Sequence, residues 1–306
     1  MIETFECTGQ PRNMGCDQGR AQARAIRDCI EAAGLRAKRS RLASLRPFVT
    51  GAVRGGGDGR ELIRHFTHLG ERIDGIARFA DVDLDAVFEL HLRAGRGSGS
   101  SGPLAAPAGV VAGIGLGGAS GVGLVRGLPA FAQGSDSYCV RHSRPEVGFG
   151  SLEITLPWLA SSIAGINEAG VCVALAPLRA RPRGLGAAAP SHLLVQECLQ
   201  RFEDVEGCID WCLKRPVLGD TTFVLADAQG DTATIDVRGR ERLVERREKG
   251  PVGADASGPG AGADAGDPDG GLGAGPGGLL VALDSEARVL SLRRVGDDAE
   301  RLTLRV

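Results

Sequence analysis

Long apolar runs are missing from this 306-residue sequence, and so is a basic and then apolar leader at its start. A membrane-spanning helix needs roughly 18 or more consecutive apolar residues. A secretory signal begins with a basic segment followed by an apolar one. The opening MIETFECTGQPR has neither segment. We therefore expect a cytoplasmic protein that has no membrane partner.

A large excess of charge of one sign is also missing. The chain carries 36 basic and 38 acidic side chains, so its formal net charge is -2. Attraction to nucleic acid or to an anionic membrane surface usually needs an excess of basic residues. We therefore expect no nucleic-acid partner.

Cysteine spacing argues against a disulfide framework and against a metal site. The eight cysteines are spread along the chain without a Cys-x-x-Cys pair, whereas disulfide scaffolds are short and dense in cysteine. We expect reduced thiols. Two pairs have the spacing of ligands on one helix face, His65 with His68 and Cys208 with Cys212, but neither has an evident third ligand. No metal is expected.

Asparagine is scarce, while the 47 glycines are about twice the usual share. Glycine and serine dominate residues 95–127, where a few apolar pairs could form a short hairpin. Residues 250–278 have no periodic apolar positions and cannot offset their ordering entropy by burial. We expect a flexible insert there.

Apolar periodicity elsewhere alternates between helix and strand. The resulting order is helices, a strand pair, helices, a second strand pair, the insert and a final hairpin. It predicts an α+β fold with stacked antiparallel sheets. Residues 1–249 and 279–306 are expected to form one domain, interrupted by the insert at 250–278.

Two short motifs suggest chemistry. Residues Gly113 to Gly118 satisfy G-x-G-x-x-G, the dinucleotide-binding fingerprint, although the following residues lack helical periodicity and no Walker lysine is present. Serines 98, 100 and 101 in GSGSSG could supply a nucleophile if a base and an oxyanion stabiliser lay nearby. A flexible loop is the other interpretation of that cluster.

Several longer segments occur in the order found in a known family. They are GQPRNMGCDQGRAQARAI (Gly9 to Ile26), ERIDGIA (Glu71 to Ala77), AGINEAGVCVAL (Ala164 to Leu175), PSHLLVQECL, LADAQGDTATIDV and LLVALDSEARVLSLRRV. Together they resemble the isopenicillin N acyltransferase family of N-terminal-nucleophile (Ntn) hydrolases over nearly the whole chain. The resemblance implies a four-layer αββα sandwich.

The resemblance also implies a chemistry. Family members cut themselves before a cysteine in a Gly-Cys-Thr/Ser-Ser/Thr context, and the new α-amine acts as the base for its own thiol. They hydrolyse amide or thioester bonds, or transfer the acyl group, without a cofactor or metal. An Asn-x-Asp pair on the next strand and an asparagine after the NEAG-type turn help to form the pocket and the oxyanion hole.

The sequence departs from this pattern at every catalytic position. A gapless alignment puts Gly99 at the nucleophile, Gly115 and Gly117 at the Asn-x-Asp pair, and Ala176 at the oxyanion asparagine. The family's Thr-Asn-His segment is replaced by the insert. Because one lost oxyanion donor alone costs roughly 10²–10³ in rate, these departures indicate a catalytically degenerate member retained for binding or interaction.

An active enzyme is the alternative. A one-residue shift of the alignment makes Ser100 the N-terminal nucleophile, exposed by cleavage of the Gly99–Ser100 bond. The expected ligand is a small acyl or amide compound, and the expected protein partner is an intact paralogue or a second copy of the chain. Their binding pocket is expected to include Gly99, Gly115, Gly117, Asp136, Ser137, Asn167 and Ala176.

Overall fold

A computed structural model describes residues 2–35, 64–95, 113–114, 123–128, 138–177, 189–218, 220–247, 279–284, 287–294 and 297–306. The insert expected at 250–278 lies outside these residues. None of the helices in the described ranges is long and apolar enough to cross a membrane.

Helices form where apolar residues recur with helical spacing. Pro11 begins the first helix, where its missing N–H costs no hydrogen bond. Asp204 caps the last one by accepting a hydrogen bond from the N–H of Gly207. The helices are α1 (Pro11–Ala21), α2 (Ala23–Ala32), α3 (Thr67–Ala80), α4 (Leu84–Gly95), α5 (Leu193–Arg201) and α6 (Val205–Lys214).

The strands occur in three groups along the chain, and helices separate the groups. They are β1 (Glu3–Gly9), β2 (Gly113–Ile114), β3 (Gly123–Leu128), β4 (Cys139–Pro145), β5 (Ser151–Thr155), β6 (Ala164–Asn167), β7 (Cys172–Pro177), β8 (Ala189–Pro190), β9 (Val217–Leu218), β10 (Asp220–Ala226), β11 (Thr232–Arg238), β12 (Glu241–Arg247), β13 (Leu279–Asp284), β14 (Val289–Arg294) and β15 (Asp297–Arg305).

Two sheets contain most of these strands. Sheet A has the order β1-β4-β5-β6-β7-β10-β11-β12, and sheet B has the order β15-β14-β13-β3-β2. The predicted strand pairs are confirmed as the antiparallel pairs β6–β7, β10–β11 and β13–β14. Strand β1 was not predicted, and it joins the edge of sheet A parallel to β4.

The two faces of sheet A pack against different layers. Side chains alternate along β5, so Glu153 faces the helices and reaches Gln196 of α5. Its neighbours Leu152 and Ile154 are buried on the opposite face, where β13 and β14 cross β6. The expected α+β fold with stacked sheets is therefore confirmed. The described residues supply three layers, in the order helices, sheet A and sheet B.

Candidate functional site

Most residues of the expected pocket lie outside the described ranges. Gly99, Ser100, Gly115, Gly117, Asp136 and Ser137 are all in this group. Asn167 at the end of β6 and Ala176 in β7 are described. The structure can therefore locate two members of the expected pocket.

Asn167 holds the β6–β7 turn against helix α5. Its side-chain nitrogen donates to the carbonyl oxygens of Leu199 and Phe202, at 3.0 and 2.8 Å. Its side-chain oxygen accepts from the N–H groups of Ala169 and Val171, at 3.1 and 2.8 Å. Both donors and both lone pairs of this buried amide are in use. Asn167 faces the helix layer and has no group left for a ligand between the sheets.

Ala176 lies far from Asn167 along the same hairpin. The backbone of Asn167 pairs with Val171 at the turn, and Ala176 is opposite Thr222 of β10. Five residues of strand separate Val171 from Ala176, which corresponds to about 17 Å. The structure therefore does not bring these two predicted pocket residues together.

Of the glycine motif Gly113 to Gly118, Gly113 and Ile114 lie in the described residues, and their pairing does not favour the dinucleotide-binding alternative. Gly113 and Ile114 form β2, which pairs antiparallel with β3 at Val125 and Leu124. A dinucleotide fold instead follows its first strand with a helix that leads to a parallel strand, which takes a dozen or more residues. Residues 115–122, between β2 and β3, are too few for that crossover.

Six of the eight cysteines have a thiol pKa above the ordinary value. Burial raises the pKa of four of them, and thiol–thiol hydrogen bonds together with burial raise the pKa of two more. A thiol with a raised pKa is protonated at neutral pH and is a poor nucleophile. All eight lie in described residues and none in sheet B: sheet A holds Cys7, Cys139 and Cys172, and helices hold Cys16, Cys29, Cys198, Cys208 and Cys212.

The two pairs with metal-ligand spacing have other partners. His68 contacts the carboxylate of Glu197, and the Cys212 sulfur lies 3.7 Å from the sulfur of Cys198. Within the described residues, no group of three or more His, Cys, Asp or Glu side chains could hold a metal ion.

A buried ion pair lies on the helix-facing side of sheet A, on its second and third strands. Arg141 of β4 and Glu153 of β5 are opposite each other in the sheet, and Arg141 Nη2 lies 2.5 Å from a carboxylate oxygen of Glu153. Burial would raise the pKa of Glu153, but Arg141, Arg72 and two hydrogen bonds hold it below the ordinary value. Glu153 is therefore ionised at neutral pH.

Carbonyl and amide oxygens surround the Arg141 guanidinium. It donates to the side-chain oxygens of Gln18 and Gln196, each at 2.8 Å, and to the carbonyl oxygens of Leu159, Ala160 and Ser161. The network thereby connects α1, α5 and the loop after β5. Sequence reasoning missed it, although charged residues at alternate positions of two apolar strands were a detectable signal.

Arg72 of α3 is a second buried guanidinium beside this pair. It is 1% exposed, and its Nη2 donates to the Ser143 hydroxyl at 3.3 Å. No hydrogen-bond partner is present among the described residues for its Nε and Nη1 atoms. Burial, followed by repulsion from Arg141, lowers the pKa of Arg72 to about 10, so Arg72 is still a cation at neutral pH.

A cavity of about 920 Å³ opens next to Arg72. It lies between the α1–α3 pair and the α5–α6 pair, over the loop that connects β4 to β5. Arg72 lines it together with Met14 and Leu69, and Phe149 and Trp211 lie across from them. We call it the helix-side cavity. It is separated by sheet A from the space between the two sheets.

Two neutral histidines are buried near the helix layer. His91 donates from Nδ1 to the carbonyl oxygen of Val87 and accepts at Nε2 from the N–H of Ala160, which fixes its neutral tautomer. His192 stacks at 6.1 Å from His91. Burial lowers the pKa of His91 to about 4 and that of His192 to about 3. Neither histidine is a cation at neutral pH.

No family model and no curated protein matches the chain. Some solved structures are similar to the chain. Penicillin V acylase from Agrobacterium tumefaciens is 13% identical with a TM-score of 0.42, over 60% of this chain and 82% of that one. Two variants of conjugated bile acid hydrolase from Clostridium perfringens are each 9% identical with a TM-score of 0.41, over 60% of this chain and 88% of theirs. Likenesses of this size assign neither a substrate nor an activity.

Proposed function

We propose that the chain is a catalytically degenerate member of the isopenicillin N acyltransferase family of Ntn hydrolases, retained to bind a small acyl or amide compound or another protein chain. Three of the resembling segments support this proposal because each contains a helix, most of a helix or a turn of the structure. Gly9 to Ile26 contains α1, Ala164 to Leu175 contains the β6–β7 turn, and the PSHLLVQECL segment contains most of α5.

The positions of the cysteines are the main support for the proposed catalytic degeneracy. The family's nucleophile is a cysteine freed by self-cleavage just before the Asn-x-Asp strand, and the alignment places that strand at 110–118, which includes β2 of sheet B. Every cysteine of this chain lies instead in sheet A or in a helix. No cysteine lies between Cys29 and Cys139, and this supports the proposal that the family's thiol nucleophile is missing.

Ser100 is the residue on which an active alternative depends. It follows Gly99 and precedes Ser101, a context close to the family's Gly-Cys-Ser pattern. A serine freed at its amino group could use that amine as its base, as the N-terminal threonine of related enzymes does. The degenerate member and the serine enzyme therefore differ in the role of Ser100. The Ser100→Ala variant is the matched control that separates them.

Amide hydrolysis tests the proposal directly. Wild-type protein and the Ser100→Ala variant are incubated with a panel of N-acyl p-nitroanilides of differing acyl length, and release of nitroaniline is followed. The degenerate member is expected to give the same background rate in both proteins. Turnover by wild type that Ser100→Ala abolishes would establish the serine enzyme and refute degeneracy.

The binding role has its own test. Tagged protein expressed at native levels in its own source cells is isolated, and co-purifying chains are identified by mass spectrometry. An intact paralogue that bears the missing cysteine, or a second copy of the chain, is the expected partner. A monomer that carries no partner and binds no acyl or amide compound would contradict retention for binding.

A further inference from the structure

Arg72, in the wall of the helix-side cavity, is a buried positive charge that forms no ion pair with a carboxylate among the described residues. Arg72 and Arg141 are both fully buried cations, and Glu153 is the buried carboxylate they share. Glu153 already accepts from Arg141, Ser151 and Gln196. Of these three buried charges, one positive charge therefore remains without a carboxylate of its own among the described residues. Burying an unpaired charge is costly unless a counter-charge approaches it.

The thiol next to Arg72 does not provide that counter-charge. Cys7 of β1 is fully buried and interacts with Arg72. Burial raises the pKa of Cys7 despite the nearby arginines, so the thiol is neutral at pH 7. The hydroxyl of Ser143 satisfies only the Nη2 atom of Arg72.

The first turn of α1 adds a second electropositive feature to the same wall. Gly9, Gln10 and Pro11 line the cavity, and Gln10 does not cap the helix with its side chain. The N-terminus of a helix favours an anion through its amide groups and its dipole. At the opposite wall, the C-terminal carbonyl oxygens of α5 are already bound by Asn167 and by the N–H of Phe149.

The remaining lining sets the size and character of the ligand. Most of the walls are apolar or aromatic, including Met14, Phe149 and Trp211. Glu71 and Glu168 stand at the lining as well and would repel a doubly charged anion. A cavity of about 920 Å³ is within the range for small-molecule sites. These features favour a monoanion with an apolar body over a phosphate.

We propose that the helix-side cavity binds a small molecule that carries one carboxylate on an apolar or aromatic body, with the carboxylate against Arg72. The planar guanidinium suits a carboxylate because two parallel N–H groups can meet its two oxygens. This site lies on the helix side of sheet A and is independent of the function proposed above.

The two methionines of the chain permit a direct test, since Met14 lines the cavity and Met1 is the other. Full-length protein labelled with ¹³C at the methionine methyl group is titrated with 3-phenylpropanoate and followed by NMR. The uncharged analogue 3-phenylpropanamide and inorganic phosphate are titrated in the same way. The Met14→Leu variant assigns the signal. We expect a saturable shift of the Met14 signal with the carboxylate and binding at least tenfold weaker with the amide or phosphate.

Variants identify the anchoring group. Arg72→Leu is expected to weaken carboxylate binding at least tenfold, whereas Arg24→Leu is expected to leave it unchanged because Arg24 is 93% exposed on α2. Three results would each overturn the proposal. The carboxylate and the amide could shift the Met14 signal equally, phosphate could bind more tightly than the carboxylate, or Arg72→Leu could bind the carboxylate as well as wild type does. If Arg72→Leu does not fold, the acid and amide titrations of wild type decide the question.

Discussion

The carboxylate of Glu153 is the one negative charge that the buried guanidinium of Arg141 contacts directly in sheet A. Removing one member of a buried pair typically costs about 3 to 5 kcal/mol because the other charge is left uncompensated. Glu153→Gln is therefore expected to lower the free energy of unfolding by about that amount, measured by urea denaturation.

An exposed pair provides the comparison for this variant. Lys214 and Asp210 lie 2.9 Å apart with side chains 71% and 66% exposed, and such pairs contribute at most about 1 kcal/mol. Asp210→Asn should therefore change stability very little. A cost for Glu153→Gln no larger than that for Asp210→Asn would show that the buried pair does not stabilise the fold.

The pKa values of His91 and His192 predict a loss of stability in mild acid. Burial lowers them to about 4 and about 3, from an ordinary 6.5. The unfolded chain therefore takes up protons first as the pH falls, so stability is complete above about pH 6.5 and declines toward pH 3. Each histidine contributes a slope of at most about 1.4 kcal/mol per pH unit.

His192→Phe separates this effect from packing. The difference in unfolding free energy between wild type and variant at pH 8 measures packing alone, because both histidines are neutral there. Between pH 6 and 4 the variant should lose stability less steeply than wild type. Parallel pH profiles would mean that His192 does not remain neutral in the folded protein.

At the scale of elements, α1 and α3 cross at two glycines. A Cβ on Gly15 would overlap the carbonyl oxygen of Arg72, and one on Gly75 would overlap that of Arg12. Helix propensity favours alanine over glycine by about 1 kcal/mol, but overlap with backbone cannot be relieved by rotating a side chain. The steric effect should therefore outweigh propensity.

Gly15→Ala is expected to destabilise the protein by about 2 to 3 kcal/mol in thermal or chemical unfolding. Asn13→Ala, at an exposed position of the same helix, should change stability by no more than about 0.5 kcal/mol. Stabilisation by Gly15→Ala would show that the two helices are farther apart than the structure has them.

Local patterns predicted the elements better than they predicted distant pairings. Apolar periodicity and turn residues located the helices and the β10–β11 hairpin because those signals lie within one segment. The parallel pairing of Glu3 with Cys139 joins segments far apart in sequence, and no turn signals it. For the same reason the Arg141 network, which joins β4 to α1 and α5, was missed.

The sequence does not show which partners a polar residue takes when two sets of partners are possible. Asn167 was expected to edge a pocket, yet its amide ties the β6–β7 turn to the end of α5. A turn motif shows that an asparagine is needed, but it does not show on which face of the sheet the asparagine side chain lies. That face depends on the strand's register in sheet A, and register is a property of the assembled sheet.

At the scale of the whole molecule, sheet A separates two regions with different proposed roles. The alignment puts the family's nucleophile and Asn-x-Asp positions at Gly99, Gly115 and Gly117, on either side of β2 of sheet B in the sequence, and none of the eight cysteines lies in sheet B. The helix-side cavity lies across sheet A and holds Arg72. The proposed carboxylate site therefore uses groups on the helix side of sheet A and none of the positions aligned with the family's catalytic residues.

The proposed degeneracy means that the chain has no nucleophile with which to cut itself, and intact-mass spectrometry of the purified protein tests this. We expect a single uncleaved species at 31.7 kDa, unchanged by Ser100→Ala. Two fragments, the second beginning at Ser100 and both absent from the Ser100→Ala variant, would contradict it.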